Sequence, residues 1–369
     1  MEQSIFGNKP LGFGFMRVPM NGDAVDYEHT CRMVDAYLAN GYSYFDTAHG
    51  YIDGKSELAI RDCLAKRHPR DSFLLADKLT IDFFKTAEDL DPFFESQLKA
   101  TGVEWFDFYL MHALTAETYK RYTTCKAFEW AEKLKAQGKI RHLFMSFHDK
   151  PETLAKILTE HPSVEAVQIQ FNYNDYDDAG IQSGAVYETC VKFGKPVIAM
   201  EPVKGGGLSN LPPEAAKVLE SLGGSQASYA LRYAASFEGV KLVLSGMSTL
   251  GQVEENMALM DNFKPLDEKE REAIGKVKAI LKKQDTIPCT NCRCCIDKCP
   301  QQISIPNLFS CLNAKRVYKD WNSGFYYRVH TSSNGKASSC MECRNCEESC
   351  PQHLDIADLM KEVAAEFDR

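Results

Sequence analysis

Up to about residue 280, short apolar runs alternate with longer stretches in which apolar positions recur with a helical period. Eight runs stand out: LGFGFMRV (11–18), YSYFD (42–46), SFLLADKL (72–79), FDFYLMH (106–112), IRHLFMS (140–146), AVQIQFNY (166–173), PVIAME (196–201) and VKLVLSG (240–246). They are rich in Val, Ile, Leu, Phe and Tyr and carry little charge, as parallel strands covered on both faces do. Between them, segments such as 26–40, 118–138 and 151–161 read as helices, and Gly41, Gly102, Gly138 and Gly194 stand where C-terminal caps belong. Strand–helix alternation repeated eight times predicts an α/β fold in which the parallel sheet closes into a (β/α)8 TIM barrel. An open doubly wound sheet is the rival. Its first turn prefers GxGxxG, and Gly12-Phe13-Gly14-Phe15-Met16-Arg17 lacks the third glycine.

The charged segment 266–286 reads as a helix and linker, and the composition changes after it. Two domains are therefore expected, 1–284 as the barrel and 285–369 as a smaller unit. The whole chain, 369 residues with 44% hydrophobic and 25% charged positions, has globular composition. A net charge of −8 and the lack of basic blocks argue against nucleic acid and anionic membranes as partners. No apolar run is long enough to span a bilayer and no secretory signal is visible, so the expected location is the cytoplasm. Cysteine is unevenly placed: ten of 14 lie beyond residue 288, which in a reducing compartment reads as metal binding rather than disulfides.

In a barrel of this kind, chemistry sits where strands run out into the loops at their C-terminal ends. Here the runs end in Asp46, Lys78, His112, Ser146, Gln170 and Glu201, about one strand–helix unit apart each time. Singly, each has an ordinary explanation: an Asp capping a turn, a solvated Lys, a structural His. Together with Tyr51, five residues past Asp46, they make a set that can move protons.

That set resembles the aldo-keto reductases. Asp46-Thr47-Ala48-His49-Gly50-Tyr51 is similar to the family's Asp-Thr-Ala-x-x-Tyr motif, and Lys78 and His112 match its third- and fourth-strand residues. Gly138-Lys139-Ile140-Arg141 leading to Ser146, Gln170-Phe171-Asn172-Tyr173, and Ser245-Gly246-Met247-Ser248 ahead of Glu255-Asn256 extend the match over residues 5–265. The resemblance implies a nicotinamide-dependent oxidoreductase interconverting a carbonyl and an alcohol. Tyr51 would be the acid/base, Lys78 would lower its pKa, Asp46 would hold Lys78, and His112 would align the substrate oxygen. It further implies Ser146 and Gln170 on the nicotinamide carboxamide, Gly14, Phe15 and Met16 beneath the ring, and Gly246, Ser248, Gln252 and Asn256 at the phosphate and adenosine end. Three positions depart from the family: Phe147 and His148 follow the serine, Met200 replaces a ring-stacking tyrosine, and residues 247–256 contain no Lys or Arg. Both NAD and NADP are thus carried as cofactors. No motif announces a flavin.

Cys289-x2-Cys292-x2-Cys295-x3-Cys299-Pro300 and Cys340-x2-Cys343-x2-Cys346-x3-Cys350-Pro351 repeat one spacing, which is similar to the ligand runs of two-cluster bacterial ferredoxins. That likeness implies two [4Fe–4S] clusters, with the fourth cysteine of each run serving the other cube: Cys289, Cys292, Cys295 and Cys350 on one, Cys340, Cys343, Cys346 and Cys299 on the second. Structural zinc is the competing reading. Cys294 breaks the register and reads as a spare, and Cys311 as core. Stretches 303–320 and 354–368 read as helices, so the tail resembles the α-helical ferredoxins attached to oxidoreductases. The clusters would carry electrons to a redox protein partner or clamp the fold. The alternative from another class is an electron-transfer or docking protein in which the tail acts and the barrel only binds.

Overall fold

The structure, a computed structural model, describes residues 4–283 and 286–368. All eight apolar runs form strands: β1 Leu11–Gly14, β2 Tyr44–Asp46, β3 Leu74–Leu79, β4 Phe106–Leu114, β5 Ile140–Phe147, β6 Ala166–Gln170, β7 Val197–Met200 and β8 Val240–Gly246. They pair in parallel, in sequence order, and β1 closes on β8, so the sheet is a closed barrel. The expected first run, 11–18, ends early because Phe15–Arg17 turn into a short 3-10 segment after Gly14.

The interior is filled by Tyr44, Ala76, Phe108, Leu110, Phe144, Ala166, Ile198, Leu242 and Leu244, one or two from each of β2 to β8, with Phe6 packed against them. β1 contributes glycine: a Cβ at Gly12 would lie 2.5 Å from Leu244 Cδ2, so the position stays bare to let that leucine in. The four expected cap glycines, Gly41, Gly102, Gly138 and Gly194, all adopt left-handed φ. The single helix expected over 118–138 is two, Ala116–Thr124 and Ala127–Ala136. Thr123 and Thr124 hydroxyls donate back to Tyr119 and Lys120 carbonyls, and Lys126 takes φ +51°, which ends the first helix and starts the second.

The chain divides into two compact units. One gathers the chain up to Asn172 with Ser183–Pro202 and Leu231–Leu266, and holds all eight strands. The other gathers Tyr173–Gln182, Val203–Ala230 and the chain from Asp267 on. The boundary expected between 284 and 285 lies outside the described residues.

Within the second unit, the loops after β6 and β7 fold together with the C-terminal segment. Lys204 Nζ donates to Asp175 Oδ1 at 2.5 Å and lies 4.9 Å from the Tyr318 ring centroid, with Lys204 and Asp175 both buried. Gly205 has φ +64°, and a Cβ there would fall 2.0 Å from Asp320 Oδ1. The helices Ile305–Tyr318 and Ile356–Phe367 match the two stretches expected in the tail, and share a core of Leu308, Phe309, Leu312, Met360 and Val363. Among the described residues no helix is long and apolar enough to cross a membrane.

Candidate functional site

Side chains alternate across a strand, so a residue two places beyond an interior one faces the interior too. Two places past Tyr44, Ala76, Leu110, Phe144, Ala166 and Ile198 stand Asp46, Lys78, His112, Ser146, Gln168 and Met200. The apolar filling of the barrel thus gives way, at the C-terminal ends of the strands, to a polar layer. Four of its members were singled out by sequence. Gln168 was not; Gln170, one step further along the same face, was chosen instead.

Asp46, Tyr51, Lys78 and His112 come together. Lys78 is fully buried, and its ammonium donates to Asp46 Oδ1 and to the Thr47 carbonyl, each at 2.7 Å. It lies 4.7 Å from the centroid of the Tyr51 ring, which also neighbours His112, ring centroids 5.9 Å apart and edge-on. Burial works against the Lys78 charge, but Asp46 and Tyr51 more than offset it, leaving its pKa above the usual lysine value. Burial pushes the Tyr51 phenol up to about 12, with Lys78 pulling the other way by charge and hydrogen bond, and Asp46 and Asp77 adding to the rise. The lysine therefore acts in the expected direction, while the buried setting keeps the tyrosine protonated at neutral pH.

Burial, then the Lys78 and His148 charges, hold His112 well below the usual histidine range, so its ring is neutral. Thr80 Oγ1 is 2.7 Å from His112 Nδ1. With Thr80 donating there, the ring proton would sit on Nε2. Tyr122 fixes the strands beneath by donating to the carbonyls of Leu79 (2.6 Å) and His112 (2.8 Å).

Behind the lysine is a network that sequence reasoning missed. Asp77, facing the other side of β3 from Lys78, is buried with Glu57, Gln97 and Tyr109. Gln97 Nε2 donates to Asp77 Oδ1 and to the Lys78 carbonyl, both at 3.0 Å, and Tyr109 donates to Gln97 Oε1 at 2.6 Å. Burial raises both carboxyls, Glu57 to about 7 and Asp77 well above its ordinary value. His49 Nδ1 lies 2.8 Å from Glu57 Oε2. The available signal was a second acidic residue beside the strand-end lysine.

The residues expected around a nicotinamide cofactor fall in three places. Ser146 is buried, accepts from Ala113 N–H at 2.7 Å, and pairs in register with Gln168, whose buried Oε1 has no partner among the described residues. That pair offers a donor and an acceptor suited to a carboxamide. Gln170 ends β6 opposite Met200. Gly14 pairs with Gly246 across β1 and β8, and Met16 lies in the turn that follows. The Phe15 ring is buried against Phe13 and Phe45, centroids 5.1 and 5.8 Å away. Ser248 N–H donates to Gln252 Oε1 at 2.7 Å, and Asn256 Nδ2 to Ser245 Oγ at 3.1 Å.

In the C-terminal segment, two cavities gather the cysteines. One is lined by Cys289, Cys292, Cys295 and Cys350; the other by Cys299, Cys340, Cys343 and Cys346. Each takes three thiols from one run and the fourth from the other, the crossed grouping that the ferredoxin likeness implied. The backbone repeats as well. Asn291, Arg293 and Gln302 have positive φ, and so do Glu342, Arg344 and His353 at the same places in the second run. Such left-handed steps turn peptide N–H groups toward one side and cradle anionic groups; Ile303 N–H donates to Cys299 Sγ at 3.4 Å. Four thiols around a hollow fit a cubic cluster. Among the described residues no three His, Cys, Asp or Glu side chains are placed to hold a single metal ion. Cys294 is exposed and Cys311 buried, and neither lines either of these two cavities.

The family model for the aldo/keto reductase family matches residues 10–279, and that for a 4Fe-4S dicluster domain matches residues 288–355. Relatives include an aldo-keto reductase of Mycolicibacterium smegmatis, 29% identical over 205 residues (53% of this chain, 68% of the relative). Another is L-galactose dehydrogenase of Arabidopsis thaliana, 24% identical over 300 residues (75% and 89%). Among solved structures, an aldo-keto reductase from Klebsiella pneumoniae in complex with NADPH has a TM-score of 0.60 at 19% identity, covering 73% of this chain and 90% of that one. The holo form of one from Bacillus halodurans has a TM-score of 0.61 at 23% identity, covering 75% and 96%. At these identities the structures speak for the fold alone. The barrel, its order of strands and the match over 270 residues make this chain a member of the aldo/keto reductase family, with a 4Fe-4S dicluster domain following its barrel.

Proposed function

We propose that the protein reduces a carbonyl compound to an alcohol, and runs the reverse reaction, with a nicotinamide cofactor, and that its C-terminal segment binds two [4Fe–4S] clusters. The observation that carries the reading is the buried Asp46–Lys78 pair set against Tyr51 and His112 at the C-terminal ends of neighbouring strands. The bound cofactor supplies the hydride. The protein supplies the proton: Tyr51, protonated at neutral pH, gives its phenolic proton to the oxygen on which negative charge develops. Lys78 stabilises the phenolate so formed, and Asp46 keeps the lysine charged and in place. Neutral His112 donates from Nε2 to the same oxygen and orients the carbonyl. Ser146 with Gln168 or Gln170 would hold the carboxamide that fixes the reacting face.

The two cavities support the cluster assignment, and clusters bound there supply one-electron chemistry. Their side chains also share a core with helix Ile305–Tyr318, whose Tyr318 covers Lys204, so the clusters would steady the loops after β6 and β7 as well. The test is made anaerobically on purified, iron-loaded protein: NADH or NADPH oxidation is followed at 340 nm, and cluster absorbance near 400 nm, with and without a panel of aldehydes. Carbonyl-dependent nucleotide oxidation with unchanged clusters is expected. Bleaching of the clusters by nucleotide with no carbonyl reduction would favour the electron-transfer protein instead.

A further inference from the structure

A nicotinamide dinucleotide carries phosphate groups, and a dianionic phosphate monoester is held well only by a cation, best by a guanidinium. The loop and helix start after β8, residues 247–256, contain no Lys or Arg. Three of their backbone donors are already engaged: Ser248 N–H on Gln252 Oε1, Leu250 N–H on His29 Nε2 at 3.3 Å, and Gln252 N–H on Thr249 Oγ1 at 3.2 Å. Any cation at this strand end has to come from elsewhere in the chain.

Arg17 comes from the opposite end of the sequence. It closes the short turn after β1, and β1 lies beside β8 with Gly14 opposite Gly246. Ser248 Oγ donates to the Arg17 carbonyl at 2.7 Å and ties the two segments together. The half-buried arginine side chain runs across Gly246: a Cβ built there would lie 2.8 Å from Arg17 Cδ and 3.1 Å from Cγ. Gly246 does not have the left-handed backbone that calls for glycine. What its bareness provides is room for this arginine.

Resting on the nicotinamide reading above, we propose that Arg17 recognises the 2′-phosphate of NADPH and so sets a preference for NADPH over NADH. The loop after β8 lacks a basic residue because β1 delivers one across Gly246. Arg17→Met keeps the methylenes over Gly246 and removes the charge; Arg17→Lys keeps the charge and loses the bidentate fork. Gly246→Ala leaves Arg17 in the sequence and blocks its path.

The experiment is anaerobic calorimetry of the full iron-loaded chain with NADPH and with NADH. Arg17→Met is expected to weaken NADPH binding about 10-fold or more while NADH changes by less than about twofold; Gly246→Ala is expected to cost NADPH more than NADH, and Arg17→Lys to recover part of the loss. Equal losses for both nucleotides, or an Arg17→Met protein that binds NADPH as the parent does, would overturn the assignment while leaving the nicotinamide reading in place. A parent that binds neither nucleotide would overturn that reading, and the assignment with it.

Discussion

The Lys78 ammonium lies 2.7 Å from Asp46 Oδ1, with both side chains shut away from solvent. Removing one partner leaves a buried charge uncompensated, at a cost of about 3–5 kcal/mol. Asp46→Asn should therefore lower both stability and turnover, the latter by about 100-fold or more. The double variant Asp46→Asn/Lys78→Met should regain much of the stability and none of the turnover. Thermal unfolding and kcat on the same preparations separate the two effects.

Tyr51, held up at about 12, bears on the two directions of reaction differently. The phenol is the proton donor for reduction and stays protonated below that value, so its ionisation should not limit reduction between pH 6 and 9. Alcohol oxidation needs the phenolate, whose fraction grows about tenfold for each pH unit below the pKa. The oxidation rate should accordingly climb through pH 7 to 10 while reduction stays level, as parallel pH–rate profiles would show.

Glu57 is pushed by burial up to about 7, against an ordinary value of 4.5. Between these values the folded protein holds a proton that the unfolded chain has released, so its contribution to stability is lost as pH rises from about 5 to 7. Glu57→Gln should remove that slope, which amounts to the order of 2 kcal/mol across the window. Denaturant melts at pH 5, 6 and 7 on parent and variant provide the comparison.

Cys350 lines the cavity of the first cysteine run, and Cys299 that of the second. Cys350→Ser and Cys289→Ser should perturb the same cluster, and Cys299→Ser and Cys340→Ser the other. Iron content should fall toward about half in each, and reduced-state EPR spectra should sort the four variants into those two pairs. Spectra that pair Cys350 with Cys340 would show that each run serves its own cluster.

Much of the fold was legible in the sequence because β1 to β8 are covered on both faces and read as unbroken apolar runs. Asp46, Tyr51, Lys78 and His112 could be found because each ends or follows a strand, and a barrel brings strand ends to one mouth. Contacts between distant segments left no such trace. Nothing in the neighbourhood of Arg17 announces Gly246, 229 residues on, and the Glu57–Asp77–Gln97 network depends on which way β3 turns its alternate side chains. Gln168 was passed over for the same reason: which of Gln168 and Gln170 lies level with Ser146 is set by the register, which pairing alone decides. The break at Thr124–Lys126 was masked by helical periodicity on both sides.

Tyr51→Phe, assayed anaerobically with NADPH and an aldehyde that the parent accepts, tests the central claim most directly. The ring remains beside Lys78 and His112, and only the phenolic hydroxyl is removed. Turnover should fall by about 100-fold to 10,000-fold with nucleotide affinity unchanged. A Tyr51→Phe protein that reduces the aldehyde as fast as the parent would contradict the account.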